Sequence, residues 1–138
     1  MGLWEKFEMD DKVVKVLKEI PPGAHTEHFG PAYVTIHQLA VEFDQRFPAV
    51  RDELDVPLGG RGANRHTSLV DYLTTELVNK IKLYGDVYPV EAVQLSAVRF
   101  GELRLKGPGG RELISVTKGK GGNDLALVRL RPKEPKDD

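Results

Sequence analysis

The apolar periodicity of this 138-residue chain changes once, near Val87, from a helical recurrence to an alternating one. That single switch restricts the chain to helices first and strands after. Upstream of it, Val13, Val16, Leu17 and Ile20 recur at i, i+3, i+4 and i+7, one apolar helical stripe. Pro21 and Pro22 end it, since neither has a backbone N–H to donate. Leu3, Trp4 and Phe7 either extend this helix backward or pack as a separate arm. After a short β-prone run, Ala32–Val34, Thr35 and Gln38 form a capping-box pair. Ile36, Leu39, Ala40, Phe43 and Phe47 then mark a second buried helical face. Pro48 starts a further turn of helix over Ala49–Leu54 or breaks the chain there. Ser68 and Asp71 repeat the capping pattern, and Leu69, Leu73, Leu77 and Ile81 follow at four-residue spacing. This third helix ends near Lys82, with Gly85 as its stop.

Downstream, Ala92–Phe100 is rich in β-formers, and Leu103 and Leu105 alternate with Arg104 and Lys106. Gly107–Gly110 makes a turn into a return strand, Leu113–Thr117. Gly119–Asp124 makes a second turn, into Leu125–Arg131. The expected fold is α+β: three helices followed by an antiparallel meander of three or four strands. Residues 1–131 form one domain in this reading, and 132–138, proline-charged, form a disordered tail. Ile36, Leu39, Phe43, Phe47, Leu69, Leu73 and Leu77 share the core.

A short strand into a capped helix (Ala32–Phe47), a second capped helix (Ser68–Lys82) and a hairpin about Gly107–Gly110 resemble a winged helix-turn-helix domain over roughly residues 10–118. The resemblance lies in the order of elements. It implies that the second helix of the pair enters the major groove of DNA while the hairpin touches the backbone, often in a dimer. Two features depart from that family. Pro48–Thr67 inserts twenty residues where the family has a tight turn, and the strands outnumber those of one wing.

The stretch with most chemical character is Gly59–Ser68. Gly59, Gly60 and Gly62 allow close backbone approach to a ligand, and Arg61 and Arg65 offer forked donors suited to phosphate. Asn64, His66, Thr67 and Ser68 add neutral donors, and the helix start behind them offers unpaired backbone N–H groups and a positive dipole end. A flexible surface loop whose glycines serve turns is the alternative. No Lys-Ser/Thr pair follows the last glycine, which excludes a P-loop, and no buried strand leads in, which excludes a dinucleotide fingerprint. Arg104, Lys106, Arg111, Lys118 and Lys120 lie among glycines in the hairpins, where they suit phosphate contact or keep strand edges soluble. The outward face of the third helix carries Asp71, Thr74, Thr75, Val78 and Lys82.

The function expected is a DNA-binding regulatory or accessory protein, contacting phosphates through Arg61, Asn64, Arg65, His66, Thr67, Ser68, Lys106 and Arg111. No cofactor or metal is expected. His25 and His28 have i, i+3 spacing, but they lie in a proline-bounded loop with no Cys and no certain third ligand. Ser68, His66 and Asp71 sit too close in sequence for an in-line triad, so an enzyme is not expected. No apolar run approaches a bilayer span, and the acidic N-terminal stretch is unlike a signal peptide, so the cytoplasm is the expected compartment. His37, at a helix start, reads as a surface or capping residue. Residues 1–55 hold six Lys/Arg against eleven Asp/Glu, whereas 56–120 hold ten against six. That asymmetry marks an anion-binding surface, complementary faces of a homodimer, or chance. The alternative function is a non-catalytic protein-interaction module, with the acidic N-terminal half and apolar residues such as Trp4 and Phe7 engaging the partner. The homodimer reading likewise uses the N-terminal helix, anchored by Leu3, Trp4 and Phe7.

Overall fold

The computed structural model describes residues 2–21, 29–58, 68–94, 102–110, 112–116 and 126–132. It is an α+β fold with the helical half first, in five α-helices among the described residues instead of three. The sequence pattern marked the three long ones, α2 (Met9–Glu19), α3 (Ile36–Arg46) and α5 (Leu69–Tyr84). The short ones are α1 (Leu3–Lys6) and α4 (Pro48–Leu54), the latter with Pro48 in its first turn, where the missing N–H costs nothing.

Helix α1 is a separate arm. Glu8 adopts a left-handed conformation, φ 52°, which turns α1 back across the body before α2 begins. A non-glycine residue there costs about 1–2 kcal/mol. The turn offsets this by burying Trp4, which is 3% exposed, and by directing its Nε1–H to Asp10 Oδ1 at 2.7 Å. Tyr88, from the far end of the helical half, donates its hydroxyl to the same Asp10 oxygen at 2.6 Å. Lys80 of α5 reaches Glu5 of α1 at 2.9 Å, and this ammonium holds the Glu5 carboxyl below its usual pKa. Trp4 is therefore core. The expectation that it anchors a partner is corrected, and Phe7 too packs against the core, half-buried.

Helix α3 is the centre of the molecule, touching α2, α4, α5 and strands β1 (Val34–Thr35) and β5 (Ala126–Leu130). Neighbours on nearly every side explain why six of its eleven residues are buried, His37 among them at 4% exposure. The expectation of a surface His37 fails because the flank that periodicity leaves open is covered by tertiary contacts. The Thr35–Gln38 capping box forms as its spacing predicts: Gln38 N–H donates to Thr35 Oγ1 at 3.0 Å, and Thr35 N–H to Gln38 Oε1 at 2.8 Å. Leu39, Phe43, Leu69, Leu73 and Leu77 are all fully buried, and Phe47 packs at the core margin against Phe43.

The antiparallel strands follow the expected meander only approximately. Strand β2 (Val90–Gln94) pairs antiparallel with β5, and β5 pairs with β1, giving the order β1-β5-β2. Strands β3 (Glu102–Lys106) and β4 (Glu112–Val116) form their own two-stranded hairpin. Alternation identifies a strand without naming its neighbour. Here Val90, Val34 and Val128 each bring an apolar side chain to the helices, and that shared burial selects the pairing. The outer side of the same sheet holds Glu91, which accepts from Arg129 Nε at 2.7 Å and Arg131 Nη1 at 3.3 Å. Arg129 also stacks on Tyr33 and donates to the Phe29 carbonyl at 2.7 Å. Its outer face thus gathers two guanidinium groups about one carboxylate. Residues 133–138, expected as a disordered tail, lie outside the described residues. No described helix is long and apolar enough to cross a membrane.

Candidate nucleic-acid interface

Helix α5 starts where its cap pattern places it. Ser68 Oγ accepts from Asp71 N–H at 3.0 Å, and Ser68 itself is 2% exposed. Two further donors of the first turn are also taken, Leu69 N–H by the Pro57 carbonyl at 2.9 Å and Val70 N–H by the Leu58 carbonyl at 3.1 Å. The expectation of free backbone donors at this helix start is thus corrected. The orphan N–H groups at a helix start must find acceptors somewhere, and here residues 57–58 fold back to supply two of them while Ser68 supplies a third. Ser68 holds the helix in place and is not poised to meet a ligand. The dipole end remains, and these hydrogen bonds tie residues 57–58 to the first turn of α5. Arg61, Asn64, Arg65, His66 and Thr67 lie outside the described residues, as do Arg111, His25 and His28.

Beyond its cap, α5 buries Leu69, Leu73 and Leu77 and turns a polar face outward. Thr75, Asn79 and Lys82 are exposed on it at i, i+4 and i+7, one face of the helix. Thr74, also expected there, spends its hydroxyl on the Val70 carbonyl at 2.8 Å. Asp71 and Val78 are only partly exposed. Asn79 is the residue the sequence reading missed. Its signal was present in the spacing from Thr75, and an amide is the side chain best matched to an adenine edge.

Lys106 is exposed at the end of β3, beside a cleft of about 420 Å³ between the hairpin and the body. The cleft also carries Glu19, Glu42 and Arg46. Arg46 bridges the two carboxylates, donating to Glu42 Oε1 at 2.8 Å and to Glu19, and these bonds raise its pKa further. Two cations facing two carboxylates balance, so the cleft has no strong preference for anions. Elsewhere on the hairpin Arg104 pairs diagonally with Glu112 at 2.7 Å. Lys82 and Lys106 make no ion pair among the described residues. The described parts of the candidate interface are therefore the α5 face and Lys106. Among the described residues no cluster of His, Asp or Glu is arranged to hold a metal ion. No protein-family model, curated protein or solved structure matches the chain.

Proposed function

We propose that this chain is a non-catalytic, duplex-DNA-binding protein of winged-helix type, acting as a regulator or accessory factor. The observation that carries the reading is the uncovered polar face of α5, Thr75–Asn79–Lys82, on the helix that follows the Arg61/Arg65 segment in the chain. A groove-reading helix needs such a face, with cations near one end to meet the phosphates. The strand order adds support. A hairpin inserted between β2 and β5, with β5 also tied to β1 in front of α3, can project from the helical body as a wing does. In this reading Arg61, Arg65, Lys106 and Arg111 contact phosphates, and Thr75 and Asn79 face base edges. Asn64, His66 and Thr67 supply neutral donors beside the arginines.

The test is a mobility shift with random duplex across a salt series. Each phosphate neutralised contributes about 0.9 to the slope of log affinity against log salt. Replacing Arg61 and Arg65 together with Ala should flatten that slope by roughly two units on every sequence alike, with far-ultraviolet dichroism unchanged. Failure of the intact chain to bind duplex at low salt, where attraction between charges is least screened, would overturn the proposal. The protein-interaction alternative is favoured by one observation, the exposed apolar side chains that follow the polar face of α5.

A further inference from the structure

The polar face of α5 gives way at its C-terminal end to an apolar patch. Leu83 is 71% exposed, Tyr84 48% and Val87 82%, all within five residues. The helix stops in the middle of the patch at Gly85, whose φ of 56° and ψ of −129° turn the chain into a single 3₁₀ turn, Gly85–Val87. Tyr84 is held in position, stacked on buried Tyr88 with ring centroids 6.1 Å apart and with the Lys80 ammonium over its face. The patch is thus a fixed part of the surface. Scattered apolar side chains on a surface need no explanation, but three large ones exposed within five residues do.

The charges around the patch indicate what covers it. Lys82 is exposed and makes no ion pair among the described residues. Asp86 is fully solvent-facing and, among the described residues, pairs only with Arg131, at 3.9 Å. One cation and one anion therefore flank the same apolar residues, four positions apart. A surface that carries both signs about an apolar centre is complementary to itself when turned through a two-fold axis. We propose that a second copy of this chain packs on the patch, Leu83 and Val87 of one copy against those of the other. An antiparallel two-fold arrangement places Lys82 of each copy opposite Asp86 of its partner.

A patch this small falls well below the ~800 Å² per partner of a stable interface, so the dimer is weak and depends on concentration. It replaces the dimer expected through Trp4, whose burial removes that anchor. It does not rest on DNA binding, although a dimer would present two α5 faces to successive half-sites.

Sedimentation velocity or light scattering on the full chain without nucleic acid tests it. The mean mass should rise from the monomer value of 15.4 kDa toward twice that between roughly 10 μM and 1 mM, the range in which weak interfaces associate. Leu83→Asp should abolish the rise. Lys82→Glu should also abolish it, by setting two carboxylates opposite each other. Combining Lys82→Glu with Asp86→Lys should restore it, which neither a general loss of solubility nor misfolding would reproduce. A chain that stays monomeric throughout overturns the proposal. A dimer indifferent to Leu83→Asp, or a charge swap that fails to restore association, overturns it equally. Loss of DNA binding with the dimer intact would sink only the function proposed above.

Discussion

Leu73 and Leu83 lie ten residues apart on α5, one with no exposed surface and the other 71% exposed. Truncating each to alanine therefore separates burial from helix propensity, because both variants gain the same small helix preference. Leu→Ala at position 73 removes three buried carbons at about 0.8 kcal/mol each, or about 2.4 kcal/mol of transfer energy. The cavity left between α5 and α3 adds to that, since packed neighbours collapse only in part, and the total should reach ~3–4 kcal/mol. Against a domain stability of about 5–15 kcal/mol this is a large share. With an unfolding entropy near ~0.3 kcal/mol/K for a chain of this size, the melting temperature should fall by ~10 °C. Leu83→Ala should change stability by less than ~0.5 kcal/mol when measured at low micromolar concentration, where the chain is monomeric. Urea unfolding followed by far-ultraviolet dichroism reads both. Equal losses at the two sites, or a loss at Leu73 within 0.5 kcal/mol, would mean that the buried and outward faces of α5 have been assigned wrongly.

Asp10→Ala should leave Trp4 Nε1 and the Tyr88 hydroxyl without their shared acceptor, at a cost of ~1–3 kcal/mol for each unsatisfied group. Trp4 is the sole tryptophan, so its emission reports the arm directly, and an unshifted spectrum with unchanged stability would contradict the shared bond. Burial pushes the Tyr72 hydroxyl up to about 12, with the charges of Glu76 and Glu5 adding to it, and burial together with the bond to Asp10 also raises Tyr88. Both hold their protons more tightly folded than unfolded, so the stability they contribute is complete below pH ~10 and is lost as pH rises toward 12. Absorbance at the tyrosinate band should show two of the four tyrosines titrating late, together with unfolding, and four ordinary titrations would refute it. Gly85→Ala should cost ~1–3 kcal/mol, because the conformation at Gly85 is closed to residues with a Cβ, although open space surrounds it. A neutral effect on the melting temperature would show that the α5 stop is not built on that conformation.

What the sequence alone determined was local. The boundaries of α3 and α5 follow from hydroxyl caps that reach only three residues ahead, and the end of α2 follows from two prolines beside it. The buried stripes of α2, α3 and α5 were legible because a helix repeats every 3.6 residues whatever surrounds it. Tertiary structure decided everything that depends on distant neighbours. Alternation marked the strands, but β5 lies between β1 and β2 because Val128 shares the core with Val34 and Val90. Trp4 is core because Asp10 and Tyr88 meet its nitrogen, and Tyr88 is 84 residues away in the chain. Near the candidate site, the Ser68 cap and the strand position of Lys106 could be placed in advance, whereas the occupied donors at the start of α5 could not. A helix cap is satisfied by its own segment, but the Pro57 and Leu58 carbonyls arrive from beyond the 59–67 segment, and only chain closure brings them there. Local rules fix which groups need partners, and the folded chain decides which partners they find.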